Sequence, residues 1–265
     1  MGAEPVLLVE RARGLARVTL NRAAHGNALD TALKDALVAE LTAIAADDGV
    51  RAVLLSGAGP VFCVGQDLGE LAGTLRDAPE RASETVELHF SPITRLLATM
   101  PKPVVAAVHG TCVGAGLGFA LACDLQVWGS GVTLGTAFSK VGLTCDSGVS
   151  LTLPALVGPA RARELLLLAR SFTPDEAVGW GFAGPVVPQE EVTAVALALA
   201  EQLATGPTLA YASTKRLLGL ASAGLPLDDV LAAEGVEQAR CGRSADHAHA
   251  VESFLAKREP VFSGR

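Results

Sequence analysis

The chain has 265 residues, of which 50% are hydrophobic and 18% are charged, and its formal net charge at pH 7 is -7. This length can bury one sizeable core, and the apolar fraction is too high for a disordered chain. The negative charge argues against a surface that coats nucleic acid, although a few local cations suffice for an anionic ligand.

The chain start and the cysteines indicate where the protein works. Residues 1–6 match neither a secretory signal nor a myristoylation pattern. The uncharged span from Pro103 to Cys123 is long enough for a membrane helix, but four glycines interrupt it, so strand, turn and helix are predicted instead. None of the 5 cysteines forms a Cys-x-x-Cys pair, which is typical of reduced thiols. A cytoplasmic protein without membrane or nucleic-acid partners is therefore expected.

Strands and helices alternate in the first part of the predicted order. Periodicity predicts strands at 15–20, 50–55, 103–108 and 125–128, helices at 30–46, 96–100 and 115–123, and a polar loop at 73–87. From residue 160 onward the pattern is helical, at 161–169, 174–179, 189–204, 208–220, 228–240 and 245–258. This order favours an α/β fold of stacked ββα units over a symmetric barrel, followed by helices that need a partner surface.

Two glycine-rich segments each follow an apolar, β-branched run and precede a helical pattern. The first runs from Phe62 to Leu68, and the second from His109 to Gly118. Such turns leave backbone N–H groups unpaired at the start of a helix. Two of them facing each other would form an oxyanion hole from the main chain alone. For either turn taken alone, tight packing of strand against helix explains the glycines equally well.

The order and spacing of these turns resemble the crotonase (enoyl-CoA hydratase/isomerase) superfamily. The resemblance covers essentially the whole chain, although Ala23 stands where that family usually has proline. Further matching segments, in order, are Asn21–Arg22 with Asn27–Leu29, Ala122–Leu125, Phe172–Ala177 and Phe254–Phe262. The resemblance implies a crotonase-like spiral of ββα units with an acyl-CoA site over 1–200. It also implies a helical C-terminal trimerisation region over 201–265, which covers the site in a homotrimer or a hexamer (a dimer of trimers).

The resemblance also assigns roles to residues. It implies that the backbone N–H groups of Gln66 and Ala115 bind the thioester carbonyl of an acyl-CoA substrate, without a cofactor or metal. The residues implied in substrate binding are Ala28, Gly65, Asp67, Leu68, Gly114, Gly116 and Phe138. Asp67 is expected mainly to cap the helix that begins at Leu68. Candidate ligands for the CoA phosphates are Arg22, Lys102, Lys257 and Arg258, each equally explained as a solvated charge.

The acid and base groups of this chain differ from those of a hydratase. The two glutamates that activate water in family hydratases would fall at Gly118 and Phe138, which can supply neither acid nor base. Asp146 lies in the run Ala137–Gly148, which looks like the isomerase branch that includes ring-1,2-epoxyphenylacetyl-CoA isomerase. In that branch an aspartate moves a proton between two carbons. Without the resemblance, Asp146 would be interpreted as a helix N-cap.

The expected function is therefore an enoyl-CoA isomerase or ring isomerase that stabilises a thioester enolate. One alternative is a hydratase-like enzyme with altered acid and base residues. Another is a catalytically decayed acyl-CoA-binding homologue, which Cys145 and Val149 favour because the family commonly has proline and glycine there. His247 and His249 are two residues apart and so do not share a helix face, and no metal site is predicted.

Overall fold

The computed structural model describes residues 4–265, so the first three residues of the predicted core lie outside it. The described chain forms a six-stranded sheet, a two-stranded sheet and a series of helices. The strands are Leu7–Ala12 (β1), Leu15–Leu20 (β2), Ala52–Gly57 (β3), Val104–Val108 (β4), Thr111–Val113 (β5), Leu125–Gly129 (β6), Thr133–Gly135 (β7) and Val186–Val187 (β8). The helices are Thr31–Ala46 (α1), Leu68–Asp77 (α2), Ser91–Thr99 (α3), Ala115–Ala122 (α4), Val149–Val157 (α5), Pro159–Leu168 (α6), Pro174–Trp180 (α7), Val192–Thr205 (α8), Thr208–Ser222 (α9), Leu227–Gly242 (α10) and Ala245–Leu255 (α11).

The large sheet has the strand order β1-β2-β3-β4-β6-β8. β1 and β2 are antiparallel, and every other neighbouring pair is parallel. Arg13 and Gly14 connect β1 to β2 with positive φ angles of 51° and 79°, as a tight two-residue hairpin turn requires. All of β4 is buried, because a central parallel strand is covered on both faces of the sheet.

Helices cover both faces of the large sheet. Successive residues of β3 alternate between two apolar clusters, because side chains of a strand point to opposite faces. On one face α1 contributes the apolar row that the sequence predicts, which comprises Leu33, Leu37, Leu41 and Ile44. On the other face α8 buries residues at four-residue spacing, namely Val192, Ala196, Ala200 and Ala204.

The C-terminal helices are fastened to this core by polar contacts. On α9 the ammonium of Lys215 donates to the carbonyl of Leu97 at 2.7 Å and pairs with Asp124 at 2.8 Å. The tail that follows α11 folds back, because Asp246 accepts hydrogen bonds from the N–H groups of Ser263 and Gly264. Within residues 4–265, none of the helices combines the length and the apolar composition that crossing a bilayer requires.

The predicted loop over 73–87 is largely helical. α2 extends to Asp77, a 3-10 turn follows at Pro79–Arg81, and a π-helical turn spans Val86–Phe90. The polar composition of the segment concealed these turns from periodicity, which detects a helix only through a regular apolar face. This segment runs between α2 and α3 and lies near the site described below.

Candidate active site

The first glycine-rich turn is anchored by the buried side chain of Asn27. Its amide nitrogen donates to the carbonyl oxygens of Ala58, Val61 and Phe62 at 3.0, 2.7 and 3.1 Å. Its Oδ1 accepts from the backbone N–H of Arg22 at 2.9 Å. Asn27 has a φ of 54°, a conformation that asparagine tolerates better than most residues. The asparagine that contributes to the family resemblance therefore holds the turn in shape.

A short parallel ladder joins the two glycine-rich turns edge to edge. The N–H groups of Phe62 and Cys63 donate to the carbonyls of His109 and Thr111 at 2.9 and 3.1 Å. In return, the N–H of Val113 donates to the carbonyl of Cys63 at 3.0 Å. The two turns therefore lie side by side.

Glycines stand where the two backbones touch. A Cβ atom at Gly65, whose φ is 84°, would lie 3.1 Å from the carbonyl oxygen of Val113 and 3.4 Å from the nitrogen of Ala115. A Cβ atom at Gly116 would lie 2.7 Å from the Cβ of Cys63. Close backbone packing, the alternative explanation of these glycines, thus applies at both positions and brings the starts of α2 and α4 together.

Several backbone N–H groups remain unpaired at this junction, and those of Gln66 and Ala115 are among them. The peptides beside Gln66 are held by bonds from the Leu29 N–H to the Gly65 carbonyl at 2.8 Å and from the Asp67 N–H to the Leu29 carbonyl at 3.2 Å. Ala115 is the first residue of α4, so no carbonyl of that helix precedes it. Within residues 4–265, neither the Gln66 N–H nor the Ala115 N–H donates to a protein acceptor. Both are available to an oxygen of a ligand.

Asp67 caps α2, as the sequence predicts. Its Oδ1 accepts from the N–H groups of Gly69 and Glu70 at 3.0 and 3.1 Å, and its Oδ2 lies 3.0 Å from the guanidinium of Arg22. Burial works to raise the pKa of Asp67, but the Glu70 N–H and the Arg22 guanidinium outweigh it and hold the pKa below its ordinary value. Asp67 is therefore an ionised group that fixes the start of α2.

Two of the candidate phosphate ligands are engaged inside the protein. Arg22 has a side chain that is 14% exposed, and besides Asp67 it pairs with Asp30 at 3.1 Å. Lys102 is 3% exposed and donates to the carbonyls of Ile44 and Asp47, both at 2.8 Å. Neither residue is a solvated charge, so that interpretation is wrong for this pair, and the internal partners of both argue against a role in binding the CoA phosphates.

Asp146 precedes α5, but its side chain does not cap that helix. The N-cap residue of α5 is Gly148, and the helix start receives no side-chain hydrogen bond. The carboxylate of Asp146 accepts a bond from the Ser147 hydroxyl at 2.8 Å. Burial raises the pKa of Asp146, and the Ser147 hydroxyl opposes this only in part. The interpretation of Asp146 as a helix cap is therefore wrong, and its carboxylate is left half-buried.

α4 connects the loop of Asp146 to the N–H of Ala115, the second predicted oxyanion donor. A Cβ atom at Gly118 would lie 2.4 Å from the Cβ of Ser147 and 2.7 Å from its carbonyl oxygen. Gly118 follows Ala115 by three residues, which is about 4.5 Å along a helix axis. The Asp146 loop thus packs on the first turn of α4, close to the Ala115 N–H. This contact leaves no room for a glutamate at residue 118.

Phe138, the other residue at which the family resemblance would place a hydratase glutamate, is also buried. Phe138 is 8% exposed and belongs to the hydrophobic core. Ala137 and Ser147 have φ angles of 60° and 51°. Such angles are strained for residues other than glycine and persist only where the surrounding packing enforces them, as it commonly does at functional sites.

A cleft of about 500 Å³ opens beside Gln66 and contains a residue that the sequence did not single out. It lies between α1, α2 and the segment 78–89, and Asp146 does not line it. Lys34 does line it, and this lysine is 2% exposed. The available signal was its position beside Leu33 on the core-facing side of α1, where a charged residue is unexpected.

A family model described as enoyl-CoA hydratase/isomerase matches residues 10–265. The chain belongs to the enoyl-CoA hydratase/isomerase family. Members of this family process acyl-CoA thioesters, and their number includes both isomerases and hydratases.

Two relatives from Escherichia coli K12 represent these activities. The 1,2-epoxyphenylacetyl-CoA isomerase is 37% identical over 253 residues, which cover 96% of each protein. The 2,3-dehydroadipyl-CoA hydratase is 32% identical over 264 residues, which cover 98% of this chain and 99% of that protein. A crystal structure of an enoyl-CoA hydratase/isomerase from Mycobacterium abscessus is 43% identical, with a TM-score of 0.93, and the match covers 98% of this chain and 100% of that chain. The crotonase-like α/β fold predicted from the sequence is confirmed.

Proposed function

We propose that this family member is an enoyl-CoA isomerase or ring isomerase. The observation that carries the proposal is the carboxylate of Asp146, which does not cap α5 and whose burial raises its pKa. Among the described residues this carboxylate has no cationic partner, and a partly desolvated carboxylate of this kind is suited to accept a proton and then return it. The proposed substrate is a coenzyme A thioester, with no separate cofactor.

The proposed reaction needs one carboxylate and two N–H donors. Asp146 takes a proton from a carbon activated by the thioester, and the electron pair moves onto the carbonyl oxygen to form an enolate. The N–H groups of Gln66 and Ala115 bind that oxygen, and each such donor is worth roughly 2.7–4 kcal/mol. Asp146 then returns the proton to a different carbon, which shifts the double bond and regenerates the carboxylate.

We propose that the remaining predicted binding residues frame this site. Gly65, Gly114 and Gly116 allow the close backbone approach, while Leu68 begins α2 with a side chain that is 55% exposed. We propose that Ala28 and Phe138 complete the walls around the thioester. For the CoA phosphates, the exposed pair Lys257–Arg258 replaces the internally paired Arg22 and Lys102 as the proposed cationic ligand.

We further propose that the protein works in the cytoplasm as a homotrimer or a dimer of trimers. Large apolar side chains are exposed on the C-terminal helices and tail, among them Leu227, Phe254, Leu255 and Val261 at 71%, 81%, 77% and 77%. Covering such side chains is a favourable driving force for self-association. The proposed division into a core over 1–200 and a helical region over 201–265 places these residues in the part that contacts other subunits.

Hydration is the alternative activity, since several relatives are named as hydratases. Water addition requires a group that orients and deprotonates water, and Gly118 and Phe138 cannot supply it. An assay with 3-hexenoyl-CoA and 2-hexenoyl-CoA separates the two activities. We expect 3-hexenoyl-CoA to be converted to the 2-enoyl thioester, with slower formation of 3-hydroxyacyl-CoA from 2-hexenoyl-CoA. Faster hydration than isomerisation would overturn the proposal. Binding of both thioesters without any turnover would exclude the enoyl-CoA isomerase and leave the ring isomerase or a decayed enzyme.

A further inference from the structure

The buried side chain of Lys34 connects two segments that are far apart in the sequence. Its Nζ lies 3.3 Å from the Oε1 of Gln66, in the first glycine-rich turn. The same atom lies 2.9 Å from the Oγ1 of Thr85, in the segment between α2 and α3. A third neighbour is the carboxylate of Glu70 at 3.7 Å, and the ring centroid of Phe90 lies 5.7 Å away.

This burial is costly, and fold stability alone does not explain it. Burial lowers the pKa of Lys34, which the carboxylate of Glu70 only partly opposes. The buried Lys102 differs, because it donates to the carbonyls of Ile44 and Asp47 and so satisfies the C-terminal end of α1. Lys34 lies in the first turn of α1 and satisfies no helix end. An apolar residue at this position would pack without the cost of desolvating an ammonium.

A chain of polar contacts extends from Lys34 back to its own helix. The Thr85 hydroxyl lies 3.1 Å from the Nδ1 of His89, and the Nε2 of His89 lies 3.1 Å from the Oδ1 of Asp35. Asp35 is the next residue after Lys34 on α1. The contacts therefore close a loop that fastens residues 85–89 to α1, with Lys34 at the end nearest the glycine-rich turn.

We propose that Lys34 is a positioning residue that holds the first oxyanion donor, the backbone N–H of Gln66, in its productive orientation. This inference rests on the proposed function. Bonds to Leu29 fix the neighbouring Gly65 carbonyl and Asp67 N–H. Within residues 4–265, the side chain of Gln66 has Lys34 as its polar partner. The contact with Lys34 thus restricts rotation of the Gln66 side chain and connects Gln66 to the wall of the cleft.

The expected consequence is a selective loss of transition-state stabilisation. A small displacement of a donor weakens its bond to the charged enolate oxygen more than its bond to the neutral carbonyl of the substrate. Misplacement of a reacting group can cost up to about 100-fold in rate. For Lys34→Met we therefore expect kcat on 3-hexenoyl-CoA to fall about 10- to 100-fold while KM changes less than about twofold.

The deciding measurement reads the oxyanion hole without turnover. Hexanoyl-CoA labelled with ¹³C at the thioester carbonyl cannot isomerise, and hydrogen bonds to that carbonyl move its resonance downfield. We expect a downfield shift on binding to the wild type, the same shift with Lys102→Met, and a smaller shift with Lys34→Met. Lys102→Met is the matched control, because it removes a buried ammonium from the other end of α1. An equal shift in wild type and Lys34→Met, or an equal loss in Lys102→Met, would overturn the inference.

A second variant keeps the test decisive if Lys34→Met does not fold. Gln66→Met removes the partly exposed acceptor of Lys34 but keeps the backbone N–H, so it should reproduce the reduced shift. In the double variant the downfield shift should be reduced no more than in the more affected single variant, since both substitutions break the same contact. Two results would contradict the proposed role. One is a full downfield shift in Gln66→Met, and the other is a reduction of the shift in the double variant that equals the sum of the two single reductions. Failure of the wild type to bind hexanoyl-CoA would instead refute the proposed function itself.

Discussion

Gly118 lies against Ser147 so closely that a Cβ atom added to the glycine would be 2.4 Å from the Cβ of the serine. Gly118 belongs to α4, whose first residue carries an unpaired N–H, and Ser147 directly follows Asp146. The missing side chain therefore has a structural consequence, because the loop that bears Asp146 occupies the space of a glutamate. Glycine at residue 118 therefore has two effects. It removes one of the two glutamates expected of a hydratase, and it gives the loop of Asp146 its place against α4.

The first prediction tests this contact. Gly118→Ala should destabilise the fold by about 1–3 kcal/mol, because the added methyl group overlaps both the side chain and the carbonyl of Ser147. It should also lower kcat, since the Asp146 loop must move away. Gly219→Ala is the control, because a Cβ there meets no atom within 4 Å on α9, and a gain of about 0.5–1 kcal/mol is expected. Urea unfolding measures both, and an unaffected Gly118→Ala would contradict the packing argument.

Asp146→Asn should abolish most of the isomerisation and leave binding intact. Asparagine preserves the shape of the side chain but cannot accept a proton, so kcat on 3-hexenoyl-CoA should fall by about 10²- to 10⁴-fold. Calorimetric affinity for hexanoyl-CoA should stay within about twofold, because the N–H donors belong to the main chain. Asp48→Asn, the same change at an exposed residue, should have no effect on turnover. Full turnover in Asp146→Asn would exclude Asp146 as the base.

The rate should depend on the ionisation of Asp146. Burial raises the pKa of this carboxyl, so its proton is lost at a higher pH than from an ordinary aspartate, whose pKa is about 3.9. Because the base must be ionised, kcat/KM should decline toward acid pH with a limb that lies above that value. The residual activity of Asp146→Asn should lack this limb. A limb that persists unchanged in the variant would assign the titration to another group.

Asp146 should make the stability of the fold change with pH in the opposite direction to the rate. The fold favours the protonated form of Asp146, so this residue's contribution to stability is fully present below the ordinary pKa and is lost as pH rises through the raised one. Asp146→Asn imitates the neutral form and should therefore raise Tm at neutral pH. Below the ordinary pKa of aspartate, wild type and variant should have nearly equal Tm. Calorimetry at both pH values checks this, and a pH-independent difference in Tm would point to packing instead.

Light scattering at micromolar concentration should give a molecular mass equal to that of three or six chains. The driving force is the burial of exposed apolar side chains on the C-terminal helices, where Phe254 and Leu255 are 81% and 77% exposed. Replacing both with serine should weaken assembly without lowering the stability of the single chain, because neither side chain is packed within it. A monomeric wild type would refute the proposed assembly.

Local sequence features determined the family, the glycine-rich turns and the core-facing side of α1. A glycine that must accept a positive φ or a close backbone contact is visible in the sequence, and so is an apolar row at helical spacing. The cap at Asp67 is equally local, because the N–H groups that donate hydrogen bonds to its carboxylate belong to Gly69 and Glu70. These features follow from the geometry of neighbouring residues, so the sequence alone predicts them.

Only the tertiary structure decided which charged groups are available for chemistry. Arg22 and Lys102 were candidate phosphate ligands, but the fold pairs Arg22 with Asp67 and Lys102 with the carbonyl of Ile44, and both partners are distant in the chain. Asp146 has the sequence context of a helix cap, yet Gly148 takes that position and the carboxylate stays free of the helix. Lys34 meets Gln66 and Thr85 only after the fold brings three segments together. Periodicity reports which residues neighbour one another on a single element, whereas desolvation and ion pairing depend on contacts between elements, which the sequence pattern does not encode.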